Sequence, residues 1–375
     1  MIKGREFLPP RENLSESNPL PLRMVAWEVT RSCNLNCRHC RAAAERGPYP
    51  GELSTEESLK LIDEIVSFST PVVILTGGEP LLREDIYEIA SYGTSRGLRM
   101  VIAPNGTLLD GPKAEGLQAC GIKRVSISLD GATPESHDSF RQVEGAFAGA
   151  LKGIEYLKGA GLEFQINTTV TQKNYQELPA ILDLALRLGA VAHHIFLLVP
   201  TGRGKDLAEE TIQAEEYEKI LHWFYEQREK FPLQLKATCA PHYYRILRQR
   251  SREEGKSFTP QSHGLDAITR GCLGGIGFCF ISHRGDIQPC GYLEVMSGNL
   301  RKQTLREIWE LSPVFQRLRD FSSYKGRCGR CEYIRVCGGC RARAFEKEGD
   351  YMAEEPLCVY NPRKTPPLKL PEGLQ

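Results

Sequence analysis

The chain has 375 residues, with 48 Lys+Arg against 47 Asp+Glu and a net charge of +1. That length allows one large domain or a large and a small one. The balanced charge excludes the electrostatic footprint of a nucleic-acid binder and any general drive toward anionic membrane.

No run of about eighteen uncharged apolar residues is present to span a bilayer. Residues 1–10 lack the apolar core of a signal peptide. Thirteen cysteines without such a signal point to reduced thiols, metal and a cytoplasmic protein.

Residues 1–22, rich in Pro, Ser and charge, read as an extended N-terminal arm. From residue 24 to about 200 a strand–helix rhythm runs through the chain. The predicted strands are Met24–Thr30, Val72–Thr76, Arg99–Ala103, Arg124–Leu129, Phe164–Val170 and His194–Val199. Between them lie helical patterns such as Ser54–Phe68, with a capping box from Ser54 and Glu57, and Asp85–Arg96. This alternation predicts an α/β fold with a parallel sheet, and its six units fit a partial (β/α)6 barrel over residues 23–205. A helical bridge is expected over 206–268, with 212–230 helical, and a small cysteine-rich domain over 269–375. Active groups in such barrels gather at the C-terminal ends of the strands.

The first strand leads into Cys33, Cys37 and Cys40, spaced C-x3-C-x2-C. One loop can wrap a metal centre with these three thiols and leave a fourth position open, as a catalytic zinc does. A structural zinc knuckle would want a fourth ligand, and His39, between two of the cysteines, is poorly placed to be one. The second strand ends in Gly77-Gly78-Glu79-Pro80, where bare glycines allow close backbone approach. The third and fourth end in polar groups, among them Asn105 and Ser128, which could equally cap the helices that follow.

Beyond the barrel, Pro200–Lys205 is a Gly-rich basic loop without the P-loop ending, by default a solvated loop and alternatively a clamp for an anionic substrate. Lys236–Arg245 mixes thiol, imidazole, phenol and guanidinium groups. Eight cysteines follow residue 270, with a β-hairpin expected around Arg284-Gly285-Asp286. Their number suits two four-thiolate centres, and spacing alone does not separate iron–sulfur from zinc.

The three-cysteine loop and the Gly-Gly-Glu-Pro segment resemble the signature of the radical S-adenosylmethionine (SAM) enzymes. His39 stands where many members have an aromatic residue. The resemblance implies a 4Fe–4S cluster on Cys33, Cys37 and Cys40, whose open iron is chelated by SAM and whose electron cleaves SAM to a 5′-deoxyadenosyl radical. It implies SAM contacts from Gly77, Gly78, Glu79, Asn105, Ser128, Arg141 and Leu198, with Arg141 pairing the carboxylate and Asn167 and Thr168 lining the adenosine.

The C-terminal cysteines resemble the SPASM-type extension of that superfamily, which holds two auxiliary 4Fe–4S clusters. The implied ligands are Cys272, Cys279, Cys290 and Cys340 for one, and Cys328, Cys331, Cys337 and Cys358 for the other. Here two residues, not the commoner three, precede Cys340, and the gap from Cys272 to Cys279 is long.

Over residues 22–360, the blocks 25–33, 192–204, 236–245 and 271–292 resemble the family of heme b synthases of the siroheme-based heme pathway. That resemblance implies oxidative decarboxylation of two propionates of iron-coproporphyrin III, an anaerobic setting, and a reducing donor such as a flavodoxin or ferredoxin. It makes Arg203, Lys205 and Arg245 candidates for the propionates. His242, His194 and Cys239 are candidates for the central iron. Rival readings are a deacetylase of didecarboxysiroheme, a peptide-modifying maturase, and an electron carrier, whose saturated clusters would not leave an iron open.

Overall fold

The computed structural model describes residues 20–362, so the expected arm at 1–22 lies almost wholly outside the described residues. The strands are β1 (Met24–Thr30), β2 (Val72–Gly77), β3 (Arg99–Ile102), β4 (Val125–Ser128), β5 (Phe164–Val170), β6 (Ala192–Leu197), β7 (Gln234–Thr238), β8 (Phe278–Ile281), β9 (Asp286–Gln288) and β10 (Gly298–Asn299). They form one sheet in the order β10-β9-β8-β1-β2-β3-β4-β5-β6-β7. All neighbours from β8 to β7 are parallel, while β9 and β10 are antiparallel. The arrangement is the expected α/β sheet, with no pairing between β7 and β10 among the described residues.

Alternation along β1 defines the two faces. Val25, Trp27 and Val29 are fully buried in the main apolar core under the helices. Glu28 and Thr30 lie on the other face and carry polar partners. The first helix, Thr55–Phe68, starts at Ser54, whose Oγ accepts from the Glu57 N–H while the Glu57 carboxylate accepts from the Ser54 N–H. It buries Leu61, Ile62 and Ile65 in the same core.

β2, β3 and β4 match the sequence reading to within one residue at either end, β6 and β7 differ more, and the two-residue β10 was not expected. β6 begins at Ala192 instead of His194, because His193 is wholly buried with its Nε2 2.9 Å from Thr168 Oγ1, a polar residue serving in the core. β7 was not expected: Gln-Leu-Lys-Ala-Thr alternates polar and apolar positions and pairs with β6 from Ala192↔Gln234 to Phe196↔Thr238. The hairpin expected near Gly285 is present as β8 and β9, with Gly285 at φ +80° in the turn. β8 pairs with β1 in the register Val25↔Cys279 and Trp27↔Ile281, so the C-terminal region extends the same sheet. No helix among the described residues is long and apolar enough to cross a membrane.

Replacing Ser54 with Ala removes one capping bond and is expected to lower stability by about 1 kcal/mol. Thermal or denaturant unfolding of the variant against the parent chain measures it.

Candidate active site

The loop after β1 places Cys33 and Cys37 in a small buried cluster with Leu35, Ala42, Ala44 and Ala146, with Cys40 packed against it. Donors aim at the sulfurs: Leu35 N–H to Cys33 Sγ at 3.4 Å, Ala44 N–H to Cys40 Sγ at 3.4 Å, and Arg141 Nη1 to Cys37 Sγ at 3.5 Å. Burial pushes the Cys33 thiol up to about 12 and raises that of Cys37. His39 stacks on Phe140 with ring centres 4.5 Å apart, and burial holds its imidazole well below its ordinary range, hence neutral. A neutral, stacked histidine thus fills the aromatic position.

The glycines after β2 are pressed against this loop. A Cβ on Gly77 would come 2.4 Å from the Thr30 carbonyl oxygen, and one on Gly78 would come 2.4 Å from those of Arg31 and Ser32. Gly78 N–H and Glu79 N–H donate to Thr30 and Ser32 carbonyls at 2.8 Å each. Glu79 is wholly buried; its carboxylate accepts from Leu81 N–H at 3.0 Å and Asn105 N–H at 2.7 Å. Burial raises its carboxyl to about 7 against the pull of those two N–H groups. The Asn105 side chain donates to Asn34 Oδ1 at 2.8 Å, tying the end of β3 to the cysteine loop.

Ser128 ends β4, half-buried, and Leu198 packs with Phe140 and Leu207. Arg141, buried, pairs through Nη2 with Asp130 Oδ2 at 2.5 Å as well as reaching Cys37. Its fork is therefore engaged by protein on one side, leaving Nε buried without an acceptor. Asn167 and Thr168 cannot line one cavity, since they alternate along β5. Thr168 donates to the Leu129 carbonyl at 2.7 Å and is wholly buried on the helix side.

The candidates for substrate are spread apart. Arg203 donates to the Cys37 and Ala44 carbonyls at 3.0 and 2.8 Å, bracing the cysteine loop. Lys205, exposed, lies 3.8 Å from Glu346. Arg245 is buried, and its Nη2 donates to both carboxylate oxygens of Glu218 at 2.7 and 2.6 Å. His242, wholly buried, meets Glu355, which burial would raise but His242 and Arg343 hold at about 2. His194 on β6 has Nδ1 3.0 Å from Gln165 Nε2.

A constellation not apparent from sequence sits beside the cysteine loop. Glu28 on β1 takes Arg41 Nη1 at 2.9 Å and His283 Nδ1 at 2.7 Å, and Arg41 covers the Phe280 ring at 4.4 Å. Burial opposes ionisation of Glu28, yet Arg41 and His283 hold its carboxyl at about 2. The signal for Arg41 was its place directly after Cys40; His283 lies 255 residues from Glu28.

In the C-terminal region, Cys328, Cys331, Cys337 and Cys358 line one cavity, together with His242 and Arg245. Sulfur acceptors recur there: Arg341 Nη2 and Glu355 N–H reach Cys328 Sγ at 3.5 and 3.4 Å, and Gly339 N–H reaches Cys337 Sγ at 3.4 Å. Cys290, Cys340 and Cys239 share a second apolar cluster around Leu293 and Val199. Cys279 is elsewhere, fully buried in the main core. Cys120 is in that core too, as a small apolar residue. No group of three or more His, Cys, Asp or Glu among the described residues would hold a single metal ion.

Residues 27–185 match the Radical SAM superfamily, and residues 272–341 match the SPASM iron-sulfur cluster-binding domain. The chain is 56% identical over 347 residues to the AdoMet-dependent heme synthase of Nitratidesulfovibrio vulgaris, covering 92% of this chain and 95% of that one. It is 33% identical to the Fe-coproporphyrin III synthase of Methanosarcina barkeri, with 89% and 87% covered. The solved structure of Streptococcus suis SuiB bound to S-adenosylmethionine shares the fold, with a TM-score of 0.71 at 17% identity over 91% of this chain and 78% of that one.

Iron–sulfur clusters and SAM are the cofactors, and the residues present fit them. The donor set is all thiol, the thiols are buried or half-buried, and amide and guanidinium N–H groups point at the sulfurs, as anionic clusters require.

Two outcomes follow from this geometry. Gly78→Ala forces the Arg31–Ser32 backbone to move and should lower iron bound at the cysteine loop severalfold, read by iron and sulfide assay. Glu79, whose carboxyl sits near 7 folded against 4.5 unfolded, retains its proton longer in the folded state. It therefore lowers stability as pH rises across that window, a displacement worth roughly 3 kcal/mol. Melting curves of the cluster-free protein should show a downward slope there that Glu79→Gln flattens.

Proposed function

The chain belongs to the heme synthase family of radical SAM enzymes, and on that premise we propose that it converts two propionates of iron-coproporphyrin III to vinyl groups, giving heme b. The relative 33% identical to it is named for making Fe-coproporphyrin III, the molecule this reading takes as substrate. The observation in the site that carries the reading is a set of three buried guanidinium donors without a protein acceptor: Arg41 Nη2, Arg141 Nε and Arg203 Nη2. All three belong to residues that contact the cysteine loop or lie in it. Buried unpaired cationic donors are costly, and carboxylates are their natural complement. SAM brings one carboxylate and the porphyrin brings four.

When bound, the reduced cluster and SAM supply a deoxyadenosyl radical able to take hydrogen from an unactivated propionate carbon. The residues of the chain orient and shield. Glu79 and Asn105 fix the strand ends that face the loop. Arg141 holds SAM's carboxylate side of the site through its free Nε, while Asp130 keeps the guanidinium in place. Arg41, oriented by Glu28, offers Nη2 to a propionate. Each decarboxylation releases carbon dioxide, one hydrogen atom and one further electron. A cluster held by the C-terminal cysteines would supply a first acceptor for that electron. A flavodoxin or ferredoxin in the cytoplasm supplies the electrons that start the reaction.

Substrate deuterated at the propionate β-carbons should deliver deuterium to 5′-deoxyadenosine, seen by mass spectrometry; unlabelled deoxyadenosine contradicts the reading. Cys33→Ala should abolish deoxyadenosine formation. Cys331→Ala should leave SAM cleavage largely intact and lower porphyrin turnover at least tenfold, so equal loss of both would contradict a downstream role for the C-terminal domain.

A further inference from the structure

The geometry points to Cys239, and not Cys279, as the fourth thiol of the centre formed with Cys272, Cys290 and Cys340; we propose this ligand set for one auxiliary cluster. The proposal does not depend on the porphyrin reading, since it concerns only which thiols meet.

Cys279 faces the wrong way. It lies on β8 opposite Val25 of β1, on the face packed under the helices, and it is wholly buried in the main core with Val25 and Trp27. Side chains alternate along a strand, so the next residue, Phe280, faces the other side. There a Cβ on Gly291, next to Cys290, would come 3.2 Å from the Phe280 ring. The sheet itself therefore separates the Cys279 thiol from the segment that carries Cys290.

Cys239 is in the opposite situation. It packs with Cys290 against the cluster of Val199, Leu293, Cys340 and Ala342. The Cys272 segment is pressed onto the same turn: a Cβ on Gly271 would meet Pro241 Cβ at 2.6 Å, and Gly271 and Cys272 N–H groups bond to the carbonyls of Val336 and Cys337 at 2.8 and 2.9 Å.

The backbone at Cys239 is held in a costly conformation, with φ +55°. Non-glycine residues adopt this only when their surroundings impose it. Here the imposing groups are Tyr217 Oη, which donates to the Cys239 carbonyl at 3.2 Å, and Arg343, whose Nη1 donates to it at 3.3 Å. Arg343 is in turn fixed by Glu355 at 3.2 Å. The strain turns a thiol just beyond the end of β7 toward three others contributed by the C-terminal region.

The test uses full-length protein in which Cys33, Cys37 and Cys40 are all replaced by Ala, so that bound iron reports on the C-terminal domain. After anaerobic reconstitution, iron, sulfide and the electron paramagnetic resonance spectrum of the reduced protein are compared for Cys239→Ala, Cys239→Ser and Cys279→Ala. The proposal expects Cys239→Ala to lose one cluster signal, with iron falling to roughly half. Cys239→Ser should keep the iron but shift that signal, because an oxygen replaces a sulfur ligand. Cys279→Ala should leave iron and spectrum unchanged. A parental spectrum in either Cys239 variant overturns the assignment, as does loss of a cluster signal in a Cys279→Ala protein with parental circular dichroism.

Discussion

A thiol buried among apolar side chains resists ionisation, and this fold buries its chemistry-bearing thiols. Burial raises those of Cys33, Cys37, Cys290, Cys337 and Cys340. They serve as thiolates only where iron and N–H donors offset the lost hydration. The architecture answers that demand repeatedly. Two turns of the cysteine loop offer backbone amides, and Arg141 and Arg341 each bring a guanidinium to a sulfur from a distant part of the chain. Loops with few apolar groups of their own are thus held by the charges their metal centres require.

Other buried cations bind the two halves of the molecule together. Arg343 joins Glu355 to the Cys239 carbonyl and covers the Tyr217 ring, while Glu355 meets His242 at the start of the helix after β7. On the other side, Glu28 of β1 joins Arg41 of the cysteine loop to His283 of the β8–β9 turn. Buried ion pairs contribute little net stability, but loss of one partner strands a charge and costs several kcal/mol. They therefore fix the relative placement of the loop and the C-terminal region more than they strengthen the fold.

Much of this was legible beforehand. β1 to β5 stand out because parallel strands buried on both faces read as apolar runs, and the Ser54–Glu57 pair announced its helix. β7 hid because its polar residues alternate with apolar ones in a short segment. Arg203 and Arg245 look like anion clamps in sequence, since nothing local shows that Arg203 gives Nε and Nη1 to loop carbonyls and keeps only Nη2 free, or that Arg245 is held by Glu218, 27 residues away. The positive φ at Cys239 and the burial of Cys279 on the helix side of the sheet depend on strand register, which spacing between cysteines does not carry. The two glycines after β2 were visible, but the partner that needs their bareness, the Thr30–Ser32 backbone, was not.

The proposed reaction is a radical decarboxylation of a porphyrin on a heme synthase scaffold. It is tested most directly by incubating the reduced, reconstituted protein anaerobically with SAM and iron-coproporphyrin III and following the porphyrin by mass spectrometry. The account predicts stepwise loss of two carboxyl groups, through a singly decarboxylated species, to a product with the mass of heme b. Deoxyadenosine formed while the porphyrin mass stays unchanged would contradict it.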